Sequence, residues 1–233
     1  MKWDNQLINH LQWSNAIINR EGKEIVAQEI AAMAKDADVI GAGSGSTVYL
    51  TLFALAERIR KESLHIEVIP ASAEISMTCI QLGIPQTPLW NKRPDWVFDG
   101  ADEVDPEKSL IKGRGGAMFK EKLLIKSSSK SFIIIDDTKL VDHLGSHFPI
   151  PVEVFPGALT FVESEMQRLG ASDVKLRLAG GKDGPVLTEN GNFIFDTRFS
   201  YVDPSLEQNL KAITGVIESG LFIGYNVEIV VAK

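Results

Sequence analysis

Apolar positions recur at helical spacing from Glu24 to Lys35, where Ile25, Ile30, Ala31 and Met33 can share one face. The run Asp38-Val-Ile-Gly-Ala that follows is short and continuously apolar, which predicts a buried strand. Beyond Gly41-Ala-Gly-Ser-Gly-Ser-Thr47 the helical period returns from Val48 to about Lys61. His65-Ile-Glu-Val-Ile-Pro70 predicts a strand, Ala73 to Leu82 a helix and Trp96-Val-Phe98 another strand. A helix containing Glu121 then leads to the strand Ser131-Phe-Ile-Ile-Ile-Asp136. Strands alternating with helices predict an α/β domain, its mostly parallel sheet covered on both faces.

The texture changes near Gly145, where the proline-rich FPIPVEVFPG opens a region of strand, helix, strand, hairpin and helix. Its expected elements are Val152 to Val154, Gly157 to Leu169, Val174 to Leu178, Phe193 to Asp196 and Asp203 to Ile213, with Asn190-Gly191 as a turn between two strands. The closing Gly-Leu-Phe-Ile and Val-Glu-Ile-Val-Val runs are expected to return to the main sheet. This divides the chain into a main domain of residues 1–145 and 216–233 and a smaller α+β domain of residues 146–215.

A chain of 233 residues with 44% hydrophobic and 24% charged residues can bury a sizeable core without extended disorder. A net charge of -7 with dispersed basic residues argues against a nucleic-acid surface, which needs a basic face to displace counterions. An anionic small molecule is still allowed, because a few lysines and backbone N–H groups can hold a phosphate. Cys79 is the only cysteine, so no intramolecular disulfide and no cysteine-based zinc site can form, and a reducing cytoplasm is the expected setting. Its place in AEISMTCIQLG predicts the buried face of a short helix. The opening MKWDNQLINHLQW lacks a signal-peptide core, and no stretch approaches about 18 apolar residues, so secretion and membrane spanning are not expected.

Gly41 to Thr47 lies between a predicted strand and helix, where glycines admit an anion and a helix N-terminus offers N–H groups. Ser44, Ser46 and Thr47 add hydroxyls. The bland alternative is a tight turn capped by Ser46 or Thr47. A dinucleotide site is disfavoured because Ser46 stands at the third glycine position and the next strand ends Val68-Ile69-Pro70 without an acidic residue. A nucleoside triphosphate loop would need Gly-Lys-Ser or Gly-Lys-Thr, which is missing here.

The acidic run Asp99-Gly-Ala-Asp-Glu-Val-Asp105 follows the strand at Trp96, so its carboxylates should emerge at a strand's carboxyl end, the ligand side of an open α/β sheet. Asp102, Glu103 and Asp105 could equally bind a divalent metal or form a solvated turn. KGRGGAMFKEK, from Lys112 to Lys122, alters that balance. Lys112 precedes glycines that can turn N–H groups toward an oxyanion, and Glu121 is placed two helical turns beyond Arg114. Alone, Glu121 between Lys120 and Lys122 would pass for an exposed helix residue. Together the segments suit proton transfer on a sugar phosphate.

GSGST at Gly43 to Thr47, DGADE at Asp99 to Glu103 and KGRGGAMFKEK resemble ribose-5-phosphate isomerase of the type A family in sequence, order and spacing. The similarity runs from about Lys23 onward, through DDTKLVDHLG at Asp136 to Gly145 and LFIG at Leu221 to Gly224; the first twenty residues look like an extension. The resemblance implies a Rossmann-like main domain with a smaller ferredoxin-like domain, assembled as a homodimer or homotetramer. It implies interconversion of D-ribose 5-phosphate and D-ribulose 5-phosphate through an enediolate, in the non-oxidative pentose phosphate pathway, with no metal or organic cofactor. Carried across, Glu121 moves the proton between C2 and C1, while Lys112 and nearby glycine N–H groups stabilise the oxyanion, and Gly113, Arg114 and Gly115 are among the substrate-binding residues. Asp99 and Asp102, with Gly100 and Ala101, meet sugar hydroxyls and assist ring opening. Ser44, Gly45, Ser46 and Thr47, with Lys23 and Lys139, form the phosphate and substrate-binding end.

Such a base works best when partly desolvated. The alternative is a non-catalytic sugar-phosphate sensor of the same broad fold, but about twenty residues before the first matched helix are too few for a helix-turn-helix. A sugar-phosphate deaminase should not share KGRGGAMFKEK. His143 and His147 have zinc-compatible spacing, which Gly145 opposes by breaking a helix. Trp3, Trp13, Trp90 and Trp96 are expected to be packing residues.

Overall fold

The computed structural model describes residues 6–13 and 16–232; Trp3 lies outside them. In chain order the helices are α1 (Gln6–Asn9), α2 (Arg20–Ala31), α3 (Ser46–Glu62), α4 (Ala73–Leu82), α5 (Met118–Ser127), α6 (Leu159–Arg168) and α7 (Leu206–Ala212). The strands are β1 (Val39–Ala42), β2 (Glu67–Pro70), β3 (Trp96–Asp99), β4 (Glu103–Val104), β5 (Leu110–Ile111), β6 (Ser131–Asp136), β7 (Ile150–Val154), β8 (Ala171–Leu176), β9 (Phe193–Phe199), β10 (Val216–Ser219), β11 (Leu221–Phe222) and β12 (Val227–Ala232). Among the described residues, no helix is long and apolar enough to cross a membrane.

Packing divides the chain into two compact units. The first comprises Met1–Gly100, Leu123–Asp137 and Val227–Lys233. Its sheet is parallel throughout, in the order β12-β6-β3-β1-β2. Every residue of β3 and β6 is buried, as continuous apolar runs in a parallel sheet should be. Ile30, Ile40, Val48, Leu52, Val68 and Phe98 anchor its core. Cys79 is buried there on α4, and desolvation pushes its thiol up to about 12, which makes it a packing residue rather than a nucleophile.

Two expectations for this unit need correction. The buried face of α2 is Lys23, Val26, Ala27, Ile30 and Ala31, whereas Ile25 and Met33 are exposed. A separation of five residues turns a helix by more than a quarter circle past one revolution, so Ile25 cannot share the stripe of Ile30. Trp90 is 92% exposed and packs in no core, although Trp96 is buried between Phe98 and Phe132 and Trp13 meets Tyr49.

The second unit comprises Ala101–Lys122 and Thr138–Asn226, and so takes in residues 101–122 and 138–145 ahead of the textural change near Gly145. It holds an antiparallel sheet in the order β10-β7-β9-β8 and a small three-stranded sheet, β11-β5-β4. Val152, Val154, Val162, Met166, Leu206 and Leu210 form its core beneath α6 and α7. Of the closing runs, β12 joins the main sheet alongside β6, while β11 pairs antiparallel with β5 in the second unit.

Gly220 is the tightest crossing in this unit. Its N–H donates to the Pro151 carbonyl at 2.7 Å, and its own carbonyl accepts the Lys112 N–H at 2.8 Å. A Cβ there would lie 2.1 Å from the Lys112 carbonyl oxygen and 2.8 Å from Pro151 Cδ. Because backbone cannot yield as a side-chain tip can, Gly220→Ala should cost about 1–3 kcal/mol of stability. Chemical denaturation measures this, and an unchanged midpoint would show that the crossing is loose.

Candidate active site

The residues expected to carry chemistry fall in two groups, one in each unit. In the first, the chain leaves β1 into the glycine loop, whose opening half is shaped around a carboxylate. Asp99 ends β3 fully buried. Its Oδ1 accepts the N–H groups of Ser44 at 3.1 Å and Gly100 at 2.7 Å. A side chain at position 43 would place its Cβ 1.9 Å from Asp99 Cγ, so only glycine lets the loop lie this close. The Ser44 hydroxyl donates to Glu74 Oε1 at 2.8 Å and lies 3.2 Å from Ser72 Oγ. Ser44 therefore ties the loop to Asp99 and to the start of α4.

The closing half of the loop has a different character. Ser46 and Thr47 form the first turn of α3, ahead of the first intrahelical bond from Tyr49 N–H to Gly45 O at 2.9 Å. Their N–H groups are those that an anion at a helix N-terminus meets. Lys23, nearly buried on α2, donates to Ser46 Oγ at 3.4 Å and sits 3.8 Å from Asp136 Oδ2. One ammonium, the Asp136 carboxylate beside it, two hydroxyl side chains and a helix start make up this group.

In the second unit, Lys112 Nζ lies 3.4 Å from Glu121 Oε2, with Lys112 3% and Glu121 4% exposed. Glu121 occupies the first turn of α5, where the helix dipole favours a carboxylate. Arg114 does not belong to that helix: residues 113–116 form a turn closed by Gly116 N–H donating to Gly113 O at 2.9 Å, so the expected two helical turns between Arg114 and Glu121 are not present. Arg177 secures this turn by donating to the Gly113 and Arg114 carbonyls at 3.2 Å and 2.8 Å, while pairing with Asp196.

Asp102 is half-buried and accepts the Arg114 N–H through Oδ2 at 3.2 Å. Desolvation raises its carboxyl above the ordinary 3.8, against the opposing pull of Lys112, the Arg114 N–H, Lys139 and the Arg114 charge. Lys139 and Arg114 both approach the Phe148 ring, at 5.1 Å and 6.0 Å from its centroid.

The remaining acidic residues of the run have other employment. Glu103 is fully buried and accepts the N–H groups of Gly145, His147 and Phe148 at 2.6, 2.6 and 2.7 Å. Asp105 Oδ1 accepts the Ser109 N–H at 2.8 Å. Glu103 is thus neither a metal ligand nor part of a solvated turn, but the anchor of the loop that carries Phe148. That loop is irregular, with Gly145 at φ 86, so His143 and His147 share no helix face. Sequence reasoning missed Glu74, Phe148 and Arg177; only Ser72, a cap residue ahead of an apolar helix with Glu74 beside it, left a local signal.

The family profile described as ribose 5-phosphate isomerase A (phosphoriboisomerase A) matches residues 67–233. The ribose-5-phosphate isomerase A of Methanothermobacter thermautotrophicus is 41% identical over 87% of this chain and 89% of its own, and that of Archaeoglobus fulgidus 40% identical over 92% and 96%. The ribose 5-phosphate isomerase A structure from Methanocaldococcus jannaschii superposes with a TM-score of 0.89 at 39% identity, covering 92% of this chain and 96% of that one. A D-ribose-5-phosphate isomerase structure in complex with phospho-erythronic acid gives 0.88 at 37% identity, over 91% and 94%. Agreement of sequence and fold across nearly the full length of both partners leads to one assignment: the chain belongs to the ribose 5-phosphate isomerase A family.

Proposed function

We propose that the protein interconverts D-ribose 5-phosphate and D-ribulose 5-phosphate by proton transfer through an enediolate. The observation that carries this reading is the buried Lys112–Glu121 pair in a chain of this family. A hydrogen on carbon next to a carbonyl is too weakly acidic to leave quickly unless the oxyanion that forms is stabilised as it develops. Glu121 takes the proton from C2 of the open-chain aldose as charge moves to O1, where Lys112 meets it. Transfer of the O2 hydroxyl proton to O1 and return of the first proton to C1 give the ketose. The phospho-erythronic acid bound by the related isomerase is a phosphorylated sugar acid, the ligand class this reading requires.

Asp99 and Asp102 are assigned to the sugar hydroxyls and to ring opening. Desolvation raises the Asp102 carboxyl, which suits a group that gives and takes protons. Gly45, Ser46, Thr47 and Lys23 are assigned to the phosphate, with Gly100, Ala101, the turn at Gly113, Arg114 and Gly115, and Lys139 completing the substrate contacts. Ser44 serves through the loop and Asp99. The reading takes the active form as a cytoplasmic homodimer or homotetramer needing no metal or organic cofactor, an expectation resting on the family resemblance.

Chelator-treated protein should therefore turn over ribose 5-phosphate, and Glu121→Gln should lower kcat by roughly 10²–10⁴-fold with KM little changed. Absence of turnover even after metal is restored would remove the isomerase reading. Near-normal kcat in Glu121→Gln would move the base elsewhere.

Asp102 also makes a pH-dependent prediction. Its folded carboxyl binds a proton more tightly than the unfolded one, so stability falls as pH rises from 3.8 through the raised folded value, and the full penalty is present at neutral pH. Asp102→Asn should melt higher than wild type at neutral pH, with the gain shrinking as the pH is lowered toward 4. A gain that is absent or independent of pH would contradict the desolvated carboxyl.

A further inference from the structure

Lys122 follows Glu121 on α5, about 100° further round the helix, and belongs to a separate charge cluster. It is 2% exposed. Its Nζ donates to Glu207 Oε1 at 2.8 Å, Glu218 Oε1 at 2.9 Å and the Ser219 carbonyl at 3.0 Å, matching an ammonium's three protons with three acceptors. Both carboxylates are held from other sides as well. Glu207 accepts the Ile223 N–H at 2.7 Å and the Tyr225 hydroxyl at 2.8 Å. Glu218 accepts the Ser219 N–H at 2.9 Å and lies 3.4 Å from Lys211 Nζ.

The same stretch of chain also holds Lys112. Gly220 O accepts the Lys112 N–H at 2.8 Å, and the Phe222 ring lies 5.8 Å from Lys112 Nζ and 4.7 Å from Lys122 Nζ. Residues 218–222 therefore support Lys112 through its backbone and Glu121's helix through Lys122. An apolar side chain could fill this space without losing the hydration of an ammonium, and replacing buried ion clusters by apolar residues is often neutral or stabilising. Apolar contact is non-directional, however, whereas three hydrogen bonds fix the helix in register. Proton transfer needs its groups placed within about 0.5 Å.

We propose that Lys122 is a positioning residue that sets the separation of Lys112 and Glu121 by fastening the first turn of α5 to residues 218–222. The proposal rests on Glu121 being the base. It is tested in the full-length protein with Lys122→Met and Glu218→Gln, measuring kcat and KM for ribose 5-phosphate per folded molecule and the Lys112–Glu121 distance by crystallography. Lys122→Met should lower kcat about 10–100-fold with KM within about threefold, and Glu218→Gln should lower it less. The double variant should be no worse than Lys122→Met alone, because both act through one contact. A purely structural role would lower the melting temperature and leave kcat per folded molecule unchanged.

Wild-type kcat in variants that fold, or a Lys112–Glu121 separation still at 3.4 Å in their crystal structures, would overturn the proposal. If Lys122→Met does not fold, Glu218→Gln decides the matter, since it removes one carboxylate charge from the cluster while leaving Lys122 oxygen acceptors at the new amide, Glu207 and Ser219. Wild-type protein without turnover would instead defeat the isomerase reading, while the distances in the variants would still decide for or against Lys122.

Discussion

An ammonium and a carboxylate 3.4 Å apart, both nearly excluded from solvent, are the constraint on which much of the second unit depends. Each charge loses several kcal/mol of hydration on burial, and their mutual attraction offsets this only when the geometry is held. The local structure supplies that support. Gly220 fits against the Lys112 backbone where no side chain would, Arg177 secures the turn at 113–116, and α5 begins in time to place Glu121 near its positive end. A charge held in this way needs no reorganisation to act on a nearby group, which is how preorganised charge accelerates reactions.

At Asp99, in the first unit, a buried charge is met by backbone N–H groups. Asp99 receives N–H groups from Ser44 and Gly100, and the close approach at Gly43 makes this possible. This divides the glycine loop by its contacts. Its opening half is spent on Asp99, and Ser44's hydroxyl on Glu74. Its closing half begins α3 with Ser46 and Thr47, and Lys23 joins it there by donating to Ser46 Oγ while pairing with Asp136. In the second unit Glu103 repeats the backbone solution, using three N–H groups to fix the loop that carries Phe148.

What could be read in the sequence was what local physics determines. Ala73–Leu82 and Ser131–Asp136 match their expected bounds to the residue, the first because Ser72 caps it and Gly83 ends it at φ 71, the second because a continuous apolar run fits only a strand buried on both faces. The two-residue strands β4 and β5 are too short to show any period, and their pairing depends on distant partners. Chemistry followed the same division. Lys112 and Glu121 sit in one contiguous motif, whereas Glu207, Glu218, Arg177 and Phe148 reach their places only through tertiary contacts. Glu121 between two lysines resembled a surface position until burial separated the three: Lys120 pairs with Glu189, Lys122 with Glu207 and Glu218, and Glu121 with Lys112.

Lysines in the second unit also determine which carboxyl groups can carry protons. At Glu218 desolvation favours the neutral acid, but the Lys122 ammonium hydrogen-bonded at 2.9 Å, with the Ser219 N–H and Lys211, outweighs it and lowers the carboxyl below 4.5. At Asp102 desolvation prevails, because Lys112 and Lys139 act through space and the N–H donor is the backbone of Arg114. A direct ammonium hydrogen bond fixes an anion, whereas a charge felt only at a distance leaves burial in control. Glu218 is accordingly suited to holding a charge in place, and Asp102 to gaining and losing a proton.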